Sequence, residues 1–146
     1  PEKHPDSEGL KADIENLKDK VNSGSKDIIT QYFFDNNLFY TFKELLNRSK
    51  IAANLIPGII PITDFQKIRE FSIKCGASIP KKFEGIFNHH FNNLNNEQQL
   101  DIILSIIADQ ARDLIENGIN NLHIYSLNQI SLMDQIISKL NIDSVK

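Results

Sequence analysis

The chain has 146 residues, 40% of them hydrophobic and 24% charged, which is the composition of an ordinary globular protein and sets an expectation of one domain. Sixteen Lys and Arg against 19 Asp and Glu leave a net charge of −3, a balance that does not supply the cationic face needed to neutralise phosphates and so argues against a nucleic-acid partner. No apolar run approaches the roughly 18 residues of a bilayer-crossing helix, and the lone Cys75 makes neither an internal disulfide nor a zinc site, so no membrane partner and a reducing, cytoplasmic setting are expected.

The chain opens PEKHPDSEG, with no apolar signal region and with Pro in place of Met, so a processed chain or a piece of a longer one is expected. Leu10, Ile14, Leu17 and Val21 then recur at helical steps, which predicts a helix over about 8–22, capped by Asp6 or Ser7 and ended by Gly24. Residues 28–34 are apolar at both parities and rich in β-branched and aromatic side chains, the pattern of a strand buried on both sides. A second helix is expected over 40–49 with Phe42, Leu45 and Leu46 on one face, and 54–60 reads as a second strand. Strand, helix and strand within about 30 residues make a parallel crossover unit. Pro57 and Gly58 fall inside the second strand, so its ladder should break there, through a bulge or a close backbone approach.

Thr63 or Asp64 caps a third helix that turns Phe65, Ile68 and Cys75 to the core and stops at Gly76. Pro80 opens a short helical stretch through Phe83, Ile86 and Phe87, and 88–96 reads as a polar surface loop. The most regular helix, 97–117, carries Leu100, Ile103, Leu104, Ile107, Ala111, Leu114 and Ile115 as a wide apolar stripe. A third strand over 122–127 and a closing helix over 130–140 complete an α/β chain of about three parallel strands with covering helices. Three strands make a small open sheet or part of a barrel, since a closed barrel of this class needs eight.

The opening PEKHP, the strand segment ITQYFFD, the turn PGIIP and the closing HIYSLN occur in one order over nearly the whole chain. In these segments the sequence resembles the carboxyl-terminal half of the methylenetetrahydrofolate reductase family. The resemblance implies a partial (β/α)8 TIM barrel spanning 1–146 as a single partial domain. It also implies a flavoenzyme using FAD and NADH or NADPH to reduce 5,10-methylenetetrahydrofolate to 5-methyltetrahydrofolate, with chemistry at the carboxyl ends of the strands. The missing amino-terminal half of the barrel is then a required partner, and self-association into oligomers is expected of the exposed half.

What the resemblance implies for single residues stands beside a plainer reading of each. His4, otherwise a solvated loop histidine, becomes a flavin contact, and Ser7 joins the cofactor-binding set. Asp13, Asn16 and Lys20 form one polar stripe on the first helix, ordinarily a solvated face. By resemblance they hold the adenosine diphosphate end of the flavin, although Asp19 stands where the family can carry an arginine. Gln31 is a primary amide in an apolar strand, so if buried it needs a hydrogen-bond partner. The resemblance makes it the amide that recognises the folate pterin. Phe71, at a spacing typical of core residues, becomes a ligand-packing ring. Gln66 substitutes for a family glutamine whose place is taken by Lys67, and Gln129 stands where the family commonly has arginine, a forked cation that an amide does not mimic.

His89 and His90 are adjacent on the chain with no further ligand at useful spacing, so no metal site is expected, and Cys75 reads as a small buried hydrophobe. The family's proton-donating glutamate belongs to the first barrel strand, so no catalytic residue is expected here and the 146 residues alone should be inactive. A competing reading is a non-catalytic, truncated half-barrel stable only against a partner chain. A third is an unrelated small α/β binding protein that needs no flavin.

Overall fold

The computed structural model describes Glu2 and residues 7–140. Its elements run α1 (Leu10–Asn22), β1 (Asp27–Tyr32), α2 (Asn36–Arg48), β2 (Asn54–Ile59), α3 (Phe65–Cys75), α4 (Lys81–Ile86), α5 (His89–Asn92), α6 (Asn96–Glu116), β3 (His123–Ile124) and α7 (Ile130–Leu140). The three strands lie in the order β1-β2-β3, and both neighbouring pairs are parallel, as the alternation of elements requires.

β1 and β2 pair in register from Asp27↔Asn54 to Ile29↔Ile56 and then slip, so that Tyr32 stands opposite Gly58. The slip sets Thr30 and Gln31 against Pro57, whose nitrogen has no hydrogen to give to a ladder. The Gly58 N–H goes instead to the Thr30 hydroxyl at 2.9 Å, and the Tyr125 hydroxyl donates to the Thr30 carbonyl at 3.1 Å. A β-carbon on Gly58 would stand 2.4 Å from that carbonyl and 2.7 Å from the Tyr125 ring. The interruption expected at Pro57 and Gly58 is therefore both a bulge and a close approach.

Helix ends follow local chemistry. Asp35 caps α2 by accepting from the Asn37 N–H, Asp64 caps α3 by accepting from the Lys67 N–H, and Gly76 ends α3 in the left-handed region at φ 71°. Asn95 and Gln98 form a reciprocal capping box that starts α6. At α1 the cap position is Gly9, whereas Ser7 folds back on it, accepting from the Gly9 N–H at 2.9 Å. The capping role expected of Ser7 is thus not taken up, and Asp6 lies outside the described residues.

Two apolar clusters hold these elements. One joins Phe33, Phe39 and Ile59 to the stripe of α6 and to Leu132 and Ile136 of α7. The other joins Tyr32, Phe34, Ile60, Ile62 and Ile68 to Phe83, Phe87 and Phe91. Segment 88–96 contains α5 rather than only loop, because Asn88 accepts from the His90 N–H and Phe91 is buried against Phe87, with ring centres 4.8 Å apart. β3 is shorter than its apolar run suggests, since its partner β2 ends at Ile59, opposite Ile124, and the chain then turns through positive φ at Leu127 and Asn128. β1 is not covered on both sides: Thr30 and Tyr32 are buried, but Gln31 is exposed and Ile29 is 52% exposed.

Candidate functional site

The carboxyl end of β1 gathers the polar and aromatic groups. At the bulge, the Gln31 side chain turns back so that its Oε1 accepts from the Tyr32 N–H at 3.1 Å. This local bond replaces the buried partner that a core glutamine would need. It leaves the Gln31 Nε2 hydrogens on an exposed side chain, free to meet a ligand acceptor.

Tyr32, the next residue, is buried and organises its surroundings. Its hydroxyl shares a 3.0 Å hydrogen bond with the Ser72 hydroxyl, its ring stacks on Phe71 at 5.9 Å, and Tyr125 meets it edge-on at 6.0 Å. Burial raises the pKa of both Tyr32 and Tyr125, so both phenols stay neutral donors across the physiological range. Phe71 is 47% exposed, so it presents a ring face supported from behind and is not a core residue. Tyr32 thus links the two residues from different atoms: its backbone N–H holds the Gln31 side chain, and its ring backs Phe71.

The other predicted residues are placed differently. Gln66 is exposed and donates to Glu70 one turn on, while Lys67 pairs with Asp64 at 2.9 Å across the first turn of α3. That pairing raises the Lys67 pKa, and the Lys67 N–H and ammonium lower that of Asp64. Gln129 donates to the Thr63 hydroxyl at 3.3 Å, tying the turn after β3 to the loop after β2. On α1, Asn16 and Lys20 are exposed and Asp13 is half-buried. Leu10 and Ile14 of the same helix line a shallow recess with Leu45 of α2 and Ser49, the residue that follows α2. No hydrogen bond or aromatic contact joins this stripe to Gln31 or Phe71 among the described residues. His4 lies outside them. Cys75 is half-buried rather than buried, and no group of three or more His, Cys, Asp or Glu able to hold a metal occurs among the described residues.

Sequence reasoning missed Tyr32, Ser72, Asn36 and Gln110. Gln110 left a signal, since it sits among the stripe positions Ile107, Ala111 and Leu114 of α6 where an apolar residue would be expected. Its Nε2 donates to the Phe33 carbonyl at 2.8 Å, just beyond β1.

Comparison with known proteins gives this arrangement a context. The sequence model of the methylenetetrahydrofolate reductase family matches residues 1–141. The chain belongs to that family. It is 37% identical over 129 residues to the 5,10-methylenetetrahydrofolate reductase of Buchnera aphidicola subsp. Acyrthosiphon pisum, covering 88% of this chain and 44% of the relative. With the enzyme of the same name from Escherichia coli strain K12 it shares 28% over 142 residues, 97% of this chain and 47% of that one. Methylenetetrahydrofolate reductase 2 of Saccharomyces cerevisiae is 30% identical over 147 residues, which is 24% of its length. The chain therefore spans under half the length of these curated relatives.

Proposed function

We propose that the chain is the carboxyl-terminal half of a (β/α)8 reductase barrel, one partial domain that works only when joined to the other half. The assembled protein reduces 5,10-methylenetetrahydrofolate to 5-methyltetrahydrofolate with NADH or NADPH, in the cytoplasm. Family membership, a match confined to under half of each relative and three parallel strands in chain order support this reading. The observation that carries it is Gln31, an amide held at a bulge at the carboxyl end of β1 with its donors exposed.

FAD fits the donor set of α1. A carboxylate at Asp13 and an amide at Asn16 suit ribose hydroxyls, an ammonium at Lys20 suits a phosphate, and Asn16 and Lys20 are open to solvent. His4 and Ser7 precede the same helix and complete the cofactor set. The bound flavin would supply two-electron transfer between nicotinamide and folate. Gln31 would orient the pterin by donating from Nε2, and Phe71, backed by Tyr32, would pack against its ring and exclude water. Gln66 lies on the same helix as Phe71 and is proposed as a further substrate contact. No residue of this half is assigned the proton-transfer role, which belongs to a glutamate of the other half.

In the complete protein, Gln31→Ala should slow and weaken the methylenetetrahydrofolate half-reaction in stopped-flow while leaving flavin content and the nicotinamide half-reaction unchanged. An unaltered folate half-reaction would remove Gln31 from the site. If the complete protein carries no flavin and consumes no NADH or NADPH, the reading as a non-catalytic half-barrel replaces this one.

A further inference from the structure

The bond that fixes the end of β1 comes from far along the chain. Gln110, on α6, donates from Nε2 to the Phe33 carbonyl at 2.8 Å and to the Asn36 side-chain oxygen at 3.3 Å. Asn36 answers by donating from Nδ2 to the Gln110 carbonyl at 3.0 Å and to the Asp113 carboxylate at 2.6 Å. Tyr40 closes the set by donating to the same Asp113 carboxylate oxygen at 2.7 Å. Phe33 itself is fully buried, so its carbonyl has little access to other donors.

These contacts have a specific relation to Gln31. Its carboxamide is oriented by one bond, from the Tyr32 N–H, and only Tyr32 separates Gln31 from Phe33. A displacement of the chain at Phe33, passed back through Tyr32 to the 31–32 peptide plane that carries this N–H, would misalign it and release the amide. Within this stretch, the Phe33 carbonyl is held from outside β1 by Gln110.

We propose that Gln110 is a positioning residue for substrate recognition: by clamping the Phe33 carbonyl it keeps the Tyr32 N–H aimed at Gln31 and so presents the Gln31 donors to the folate. The proposal rests on the role assigned to Gln31 above. Gln110, Asn36 and Asp113 also line an open recess of about 570 Å³ between α2, α4 and α6. Water can therefore reach the Asn36 and Asp113 side chains once a substitution releases them, whereas the Phe33 carbonyl stays buried.

The test is a double-mutant cycle in the complete, flavin-loaded protein. Gln110→Leu should raise the KM for methylenetetrahydrofolate about fivefold, the size expected for one lost hydrogen bond, with kcat and flavin content little changed. In a Gln31→Ala background the same substitution should change KM by less than about twofold, because the group being positioned is gone. Asn36→Ala, a milder disturbance of the clasp, should show the same coupling at smaller amplitude and serves if Gln110→Leu does not fold. Equal fold-changes in both backgrounds, or a KM unchanged by either clasp variant, would overturn the proposal while leaving Gln31 in place. A Gln31→Ala variant with normal folate kinetics would overturn both.

Discussion

Gly58 shows how one residue sets the geometry of the sheet. Any side chain there meets backbone at 2.4 Å and the Tyr125 ring at 2.7 Å, and the backbone belongs to the bulge that carries Gln31. Gly58→Ala should therefore cost about 3 kcal/mol or more in urea unfolding of the complete protein, at the upper end of overpacking effects, because the nearest obstacle is a carbonyl rather than a flexible tip. A loss below about 1 kcal/mol would mean that the strands separate easily. Asp113 provides a second test. Its carboxyl is held below the usual range by hydrogen bonds from Tyr40 and then Asn36. Tyr40 is pushed up by burial and then by that same bond. A depressed carboxylate contributes stability above its ordinary pKa of about 4 and loses it as the pH falls through the folded value. The Asp113→Asn variant should be less stable than the parent at pH 7, with the gap closing below about pH 4. A gap independent of pH would assign the effect to packing.

At the scale of elements, α6 carries most of one core. It buries Ile103, Leu104, Ile107, Ala108, Ala111 and Leu114, packs on α7 and starts from the Asn95–Gln98 capping box. Asn95→Ala should destabilise the protein by about 1 kcal/mol, seen as a lower urea midpoint at unchanged slope. No change would mean that packing alone fixes the start of the helix. α1 contrasts with it, since none of its residues is buried although its apolar spacing is regular. Periodicity reported that α1 is a helix. It did not report what the apolar face meets.

For the whole molecule, the open side of the sheet dominates. Among the described residues β1 and β3 each pair with one strand, and Ile29, Phe71, Leu127 and Ile130 are 52%, 47%, 53% and 76% exposed. Unpaired strand edges beside apolar side chains favour self-association. The isolated 146 residues should sediment as oligomers or aggregates, and Ile29→Lys should shift them to smaller species. A monodisperse monomer would refute this. The isolated chain should also form no methyltetrahydrofolate with added flavin and NADH or NADPH, because the proposed reading places proton transfer in the other half.

The sequence by itself determined the order and type of the larger elements, the break at Pro57 and Gly58, the stop at Gly76 and the family, because these depend on local backbone chemistry or on short segments read in order, and it narrowed the α3 cap to Thr63 or Asp64. Several features were settled only by tertiary structure. β3 shrank to two residues and 88–96 gained a helix, since the first depends on where a partner strand ends and the second on a ring for Phe91 to pack against. Gln31 proved exposed and locally bonded because nothing among the described residues covers that side of β1. The clasp of Gln110, Asn36, Asp113 and Tyr40 joins groups more than 70 residues apart. A single sequence carries no record of such pairings, whose energy exists only once two distant helices and a strand end have been packed side by side.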